Sequence, residues 1–247
     1  MTLTTPRPLM CLPEETEQKM SRLLDPLHLS RFLRIYDDSA SRMGIRVTVG
    51  FDFHEYVSIT NSLSAKNKTY PNFQPDVSPI QTGDGYWIIG FGKNNDVALV
   101  GAARLYRLSQ TNFAEHLESL KAFYANPSRD AHPQDRCLCT APAARRISGK
   151  VAYHGDLWVR QDFRGQGMVK IATRIMRGVT FGMWDPDFLC SLAGRWSLDK
   201  KVYDPLHNEP GGAELHLVRE DIVDNDWLFW LTGDELKELL TAMPDLA

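Results

Sequence analysis

Asp156-Leu157-Trp158-Val159-Arg160-Gln161-Asp162-Phe163-Arg164-Gly165-Gln166-Gly167-Met168-Val169-Lys170-Ile171-Ala172 is the stretch on which the reading of this chain turns. Its first four residues close an alternating run over 151–159 that predicts a strand. A tight turn follows, and then a helix from Gly165 to about Phe181. In that helix Met168, Ile171, Ala172, Ile175, Met176 and Val179 recur at helical spacing, leaving Lys170, Thr173, Arg174 and Arg177 on the other side. Gly165 and Gly167 carry no side chains to hold an anion away from the unpaired N–H groups of the first helical turn. Those donors, with the helix dipole, make a phosphate site. A dinucleotide fingerprint G-x-G-x-x-G needs a third glycine where Lys170 stands, and no P-loop run G-x-x-x-x-G-K-[ST] occurs in the chain.

Outward from this segment the pattern is mixed. Strands are predicted over 45–49, 86–91, 97–108, 188–192, 213–218 and 227–231. The pair 86–91 and 97–108 is joined by Gly92-Lys93-Asn94-Asn95-Asp96, whose turn chemistry predicts an antiparallel hairpin. Helices are predicted over 51–63, 112–125 and 234–242, and from Glu14 to about Met43, where Pro26 divides the run in two. Residues 66–85, with Pro71, Pro75, Pro79, Gly83 and Gly85, read as a loop. The fold class is therefore α/β in the α+β sense. A mixed, mostly antiparallel central sheet is flanked by helices, with a helical N-terminal extension over 1–44. The domain proper spans 45–247, with an insertion at about 109–150.

Composition excludes several classes. Among 247 residues, 43% apolar and 24% charged, 28 Lys and Arg face 31 Asp and Glu for a net charge of −3. This describes an ordinary globular chain with enough length for a sizeable core, and no dedicated nucleic-acid binder. No apolar run approaches the roughly 20 residues of a membrane span, and no secretory leader is recognisable, so a cytoplasmic location is expected. Cys11, Cys137, Cys139 and Cys190 contain no C-x-x-C, and His132 completes no zinc spacing; they read as reduced thiols, with no metal expected. Charge is uneven along the chain: 145–201 holds 11 basic and 5 acidic residues, 211–247 holds 9 acidic and 2 basic. The first segment suits a polyanionic ligand and the second an approach for a cationic amine; two solvated faces that pair with each other is the alternative reading.

Arg164-Gly165-Gln166-Gly167-Met168-Val169 resembles the acyl-CoA motif [QR]-x-x-G-x-[GA] of the GNAT superfamily of N-acyltransferases, with Val169 in place of the small final residue. The element order from 45 to 235 can be laid onto the same family. The resemblance implies a GNAT-like fold and transfer of an acyl group from acetyl-CoA or another acyl-CoA to a primary amine of a small molecule or protein. It places CoA on Arg164, Gly165, Gln166, Gly167, Met168 and Val169, and the pantetheine and thioester carbonyl on the backbone of Leu157, Trp158 and Val159. It also suggests Tyr203 as the acid that protonates the leaving thiolate, against a tyrosine of core or surface. For the base, strand alternation predicts that His154, Asp156 and Trp158 share one face, so that imidazole and carboxylate act together; a plain hydrogen bond at a strand edge is the competing reading. Two further functions fit the motif: acyl transfer from an acyl carrier protein, as in GNAT-like autoinducer synthases, and a regulatory module that binds CoA or an acyl ligand without catalysis. Neither G-x-S-x-G nor H-E-x-x-H occurs.

Overall fold

The computed structural model describes residues 24–66, 68–200 and 207–242. Among them, eight strands form one sheet in the order β1-β2-β3-β5-β6-β8-β7-β4. These are β1 (Arg46–Gly50), β2 (Gly85–Phe91), β3 (Val97–Leu108), β4 (Arg136–Leu138), β5 (Gly149–Val159), β6 (Phe188–Gly194), β7 (His207–Leu217) and β8 (Ile222–Thr232). Every neighbouring pair is antiparallel except the central β5 and β6, which run parallel. A parallel pair needs a crossover, and the helix Met168–Trp184, α5 in chain order, supplies it.

The helices are placed by local chemistry. α1 (Pro26–Arg42) starts where the sequence suggested a break: the Asp25 side chain accepts from Leu27 N at 2.9 Å and Pro26 occupies the first turn, where a missing N–H costs nothing. The helical pattern predicted for 14–23 lies outside the described residues. α2 (Phe53–Asn61) is capped by Asp52, which accepts from His54 N and Glu55 N. α3 (Phe113–Glu118) is shorter than the run predicted over 112–125, because the chain turns at Leu120 into the left-handed region, φ 58°. α4 (Pro127–Asp130) and α6 (Trp196–Asp199) are single turns. α7 (Gly233–Thr241) opens on a capping box between Thr232 and Glu235.

Both sheet faces are covered, which is why β2 reads as an unbroken apolar run rather than an alternation. α1, α5 and α7 cover one face around Phe32, Tyr86, Leu99, Met168, Met176 and Leu236. On the other, α2 and the turn at Pro71–Phe73 pack through Phe53, Tyr56, Phe73 and Trp87. The segment between β3 and β5 builds a further apolar cluster there with Phe113, Leu117, Phe123 and Ile147. The hairpin predicted at 86–108 is formed, closed by Gly92 N to Asp96 O at 2.8 Å with Asn95 at φ 62°.

Candidate functional site

The site begins where β5 and β6 part. They pair from Val151 opposite Phe188 to His154 opposite Ser191, yet β5 continues to Val159 and β6 to Gly194. A β-bulge on β5 causes the divergence. Opposite β3, Trp158 pairs with Val100 and Gly155 with Ala102, so Asp156 and Leu157 together face the single residue Gly101, and Asp156 takes φ 55°. Aspartate tolerates this conformation better than most residues. Into the gap opens a cavity of about 450 Å³. It passes through the sheet: Leu157, Thr173, Met176 and Arg177 line it on the α5 side, Lys66, Tyr70, Trp158, Asp224, Asp226 and Trp230 on the α2 side.

The bulge changes the expected pairing of side chains. His154 and Asp156 do not share a face, because the extra residue resets the alternation after Gly155. His154 Nε2 lies 2.6 Å from Thr180 Oγ1 on α5 and 3.5 Å from the Tyr86 hydroxyl. Burial, helped by the Arg177 charge, lowers its pKa to about 3, so the ring is neutral near pH 7. Asp156 points to the α2 side, where it accepts from Lys66 Nζ at 2.7 Å, Tyr56 OH at 2.6 Å and Thr69 Oγ1 at 3.3 Å. Lys66 and Asp156 expose only 4% and 3% of their side chains. Burial raises the Asp156 pKa against the opposing pull of Lys66 and the hydrogen bonds. Trp158 shares the Asp156 face and donates its Nε1–H to Ala65 O at 3.2 Å. Tyr203 lies outside the described residues.

At the start of α5, Gly165 and Gly167 adopt φ 74° and 82°, and a Cβ placed on either would meet no atom within 4 Å. The loop is therefore an open cradle in front of the first-turn N–H groups. Its shape is held from behind: Arg164 Nε donates to Val159 O at 2.7 Å and Gln166 Nε2 to Asp162 O at 2.6 Å. Met168 is buried and Val169 packs half-buried on the α5-side core. The side chains of Arg164 and Gln166 thus shape the loop, while its backbone is left to meet a ligand.

On the far side of the gap lies a group that sequence reading did not select as a site. Asp224 and Asp226 project from one face of β8. Tyr70 OH donates to Asp224 Oδ2 at 2.5 Å, and burial with this bond pushes the Tyr70 pKa up, keeping the hydroxyl a donor. Burial, then the neighbouring Asp224 charge, raises the Asp226 pKa to about 7. Asp226 stands opposite Gly194 in the β6–β8 register, with its Oδ1 3.9 Å from the position of a Gly194 Cβ, a position already crowded by the Trp196 indole. The signal available in the sequence was the alternation Asp224-Asn225-Asp226 entering an aromatic strand; Lys66 and Tyr70, in a loop rich in turn residues, carried none.

Among the described residues no cluster of His, Cys, Asp or Glu suits a metal ion. Cys137, Cys139 and Cys190 are free and buried, with the Cys137 thiol pushed up to about 12 by burial, an inert setting for a thiol. No helix among the described residues is long and apolar enough to cross a membrane.

The single parallel pair at the middle of an antiparallel sheet, joined by a glycine loop and crossover helix, makes the fold GNAT-like. No family model matches the chain, and no curated protein matches it. Solved structures similar to it include Arabidopsis thaliana NAA60 in complex with acetyl-CoA, with TM-score 0.43 and 12% identity over 76% of this chain and 98% of that one. The ribosomal-protein-S5-alanine acetyltransferase from Vibrio fischeri has TM-score 0.43 and 10% identity, covering 78% of this chain and 95% of its own. An acetyltransferase of the GNAT family from Staphylococcus aureus Mu50 has TM-score 0.39 and 8% identity, covering 76% and 99%. At this distance activity and acceptor rest on the site itself.

Proposed function

We propose that this protein transfers an acyl group from acetyl-CoA or a related acyl-CoA to a primary amine. The observation that carries the reading is the through-sheet cavity, which reaches Arg164 beside the open glycine loop before α5 on one face and an acidic, aromatic pocket on the other. The backbone at Gly165, Gln166, Gly167, Met168 and Val169 would hold the pyrophosphate of the thioester substrate. The edge of β5 left unpaired beyond His154, at Leu157, Trp158 and Val159, would take the pantetheine arm as an added strand does. The carbonyl then lies in the gap, where backbone N–H groups can face the charge that develops on its oxygen. Trp158, Trp196 and Trp230 wall the acceptor side. With donor and acceptor entering from opposite faces, the two reacting groups meet without competing for one mouth, and the cavity replaces a chance encounter by a positioned one.

The test is a thermal-shift titration with CoA and acetyl-CoA, followed by thiol release on a panel of primary alkylamines, diamines and amino-terminal peptides. Ligand at about a hundredfold excess over its Kd stabilises by about 2.7 kcal/mol, which for a chain of this size raises Tm by about 5–10 °C. No stabilisation at millimolar CoA overturns the reading.

A further inference from the structure

We infer that Asp226 is the catalytic base that receives the proton of the acceptor ammonium, and that Asp224, held by the Tyr70 hydroxyl, is the positioning residue that tunes it. The inference rests on the amine-acceptor reading above and goes beyond it by assigning a residue that neither the motif nor the strand alternation singled out.

Three observations on position carry it. First, Asp226 lies on the rim of the gap: its register partner is Gly194, the last residue of β6, and it lines the cavity on the face opposite the glycine cradle. An amine arriving from that side meets the carboxylate before the thioester carbonyl. Second, the two carboxylates are unequal. Asp224 already accepts from Tyr70, whereas among the described residues no group donates a hydrogen bond to Asp226. Third, the other proton acceptors at the cavity are committed: Asp156 accepts from Lys66, Tyr56 and Thr69, and His154 is bound to Thr180 on the other face.

The titratable groups that interact with Asp226 are Asp224 on β8, Tyr70 from the loop after α2, Tyr153 on β5 and Cys137 on β4, and the charged groups Lys66, Lys68 and Asp156 line the same side of the cavity. Of these, Asp224 is the charge that, after burial, raises the Asp226 pKa to about 7. A base so placed is partly ionised at neutral pH and strong enough to take a proton, whereas an ordinary carboxylate near 4 is a much weaker acceptor.

The step balances. The acceptor ammonium gives one proton to the Asp226 carboxylate and becomes a free amine. Its nitrogen lone pair forms the C–N bond to the thioester carbonyl carbon, and the C–S bond breaks. The second nitrogen proton passes to the departing thiolate, giving amide and free CoA thiol, and Asp226 releases its proton to water.

The test compares wild type, Asp226→Asn and Asp224→Asn, measuring kcat/KM for the best amine of the panel from pH 5.5 to 9, with acetyl-CoA binding followed separately by thermal shift. Wild type is expected to show an ascending limb near pH 7. Asp226→Asn is expected to keep acetyl-CoA binding, lose about 100-fold or more in kcat, and lose that limb. Asp224→Asn is expected to move the limb to lower pH, because the repelling charge is gone; a merely structural role would not move it. An Asp226→Asn enzyme with wild-type rate and limb overturns the inference while leaving the acyltransferase reading standing. Acetyl-CoA binding with no turnover on any amine overturns the assignment of the acidic side to an amine. Absence of both binding and turnover overturns the proposed function itself.

Discussion

At the scale of single residues, the centre of the site is governed by what burial does to charge. Lys66 and Asp156 form a buried pair 90 positions apart in the chain, and removing one partner leaves the other uncompensated. Lys66→Met is therefore expected to cost about 3–5 kcal/mol in urea unfolding, and the double variant Lys66→Met/Asp156→Asn substantially less, since no bare charge remains. Equal losses in the single and double variants would show that the pair has no such role. His154 makes a different contribution. Its neutral ring bonds the Thr180 hydroxyl, which also pairs with Tyr86, so His154→Ala is expected to destabilise by about 1–3 kcal/mol through the lost bond and the space left in a buried site, while the ascending limb of the pH–rate profile stays in place. A His154→Ala enzyme that is stable but has lost that limb would return the base to His154.

At the scale of elements, two devices make the site. The bulge at Asp156 bends β5 away from β6 and opens the gap. The loop before α5 is the other, and its glycines are required by backbone conformation rather than by crowding: at Gly167 φ is 82° and the space in front is empty. Gly167→Ala is expected to cost about 1–2 kcal/mol for the left-handed residue and to put a methyl group between the amides and the phosphates. The measurement is paired: the Tm of the free protein falls modestly, while the acetyl-CoA-dependent rise shrinks far more. A variant that loses stability but keeps the full rise would place the phosphate elsewhere. The helix itself was legible from the 3.6-residue spacing of Met168, Ala172, Ile175 and Met176, because that spacing reports only which side meets a core. The bulge was not legible, since one inserted residue leaves the composition of the strand unchanged and shows only in its pairing with Gly101.

At the scale of the whole molecule, opposing titrations set the response to acid. His154, lowered to about 3, and His116, lowered to about 4 by burial and by Arg104 and Lys121, stay neutral in the fold but protonate near 6.5 when unfolded. Their contribution is present above about pH 6.5 and is lost as pH falls below it. Asp226 has the opposite sign: its folded pKa of about 7 lies above the unfolded value, so its contribution is present below about pH 4 and is lost as pH rises through 7. Asp226→Asn is thus expected to be more stable than wild type at pH 8, by on the order of 3 kcal/mol, and to lose stability more steeply between pH 6.5 and 4. Urea midpoints across pH 4–8 decide it, and a variant no more stable than wild type at pH 8 would show that the carboxylate carries no such penalty. The sequence by itself determined the mixed α/β class, the hairpin at 86–108, the glycine loop and its helix, and the segregation of basic from acidic residues, because each is written in local spacing and composition. Only the tertiary structure decided that His154 and Asp156 face apart, that Lys66 closes on Asp156, and that Asp226 stands at the gap. Those facts depend on strand pairing and burial between residues distant in the chain, and it is burial and neighbouring charge that turn an ordinary carboxylate into a base.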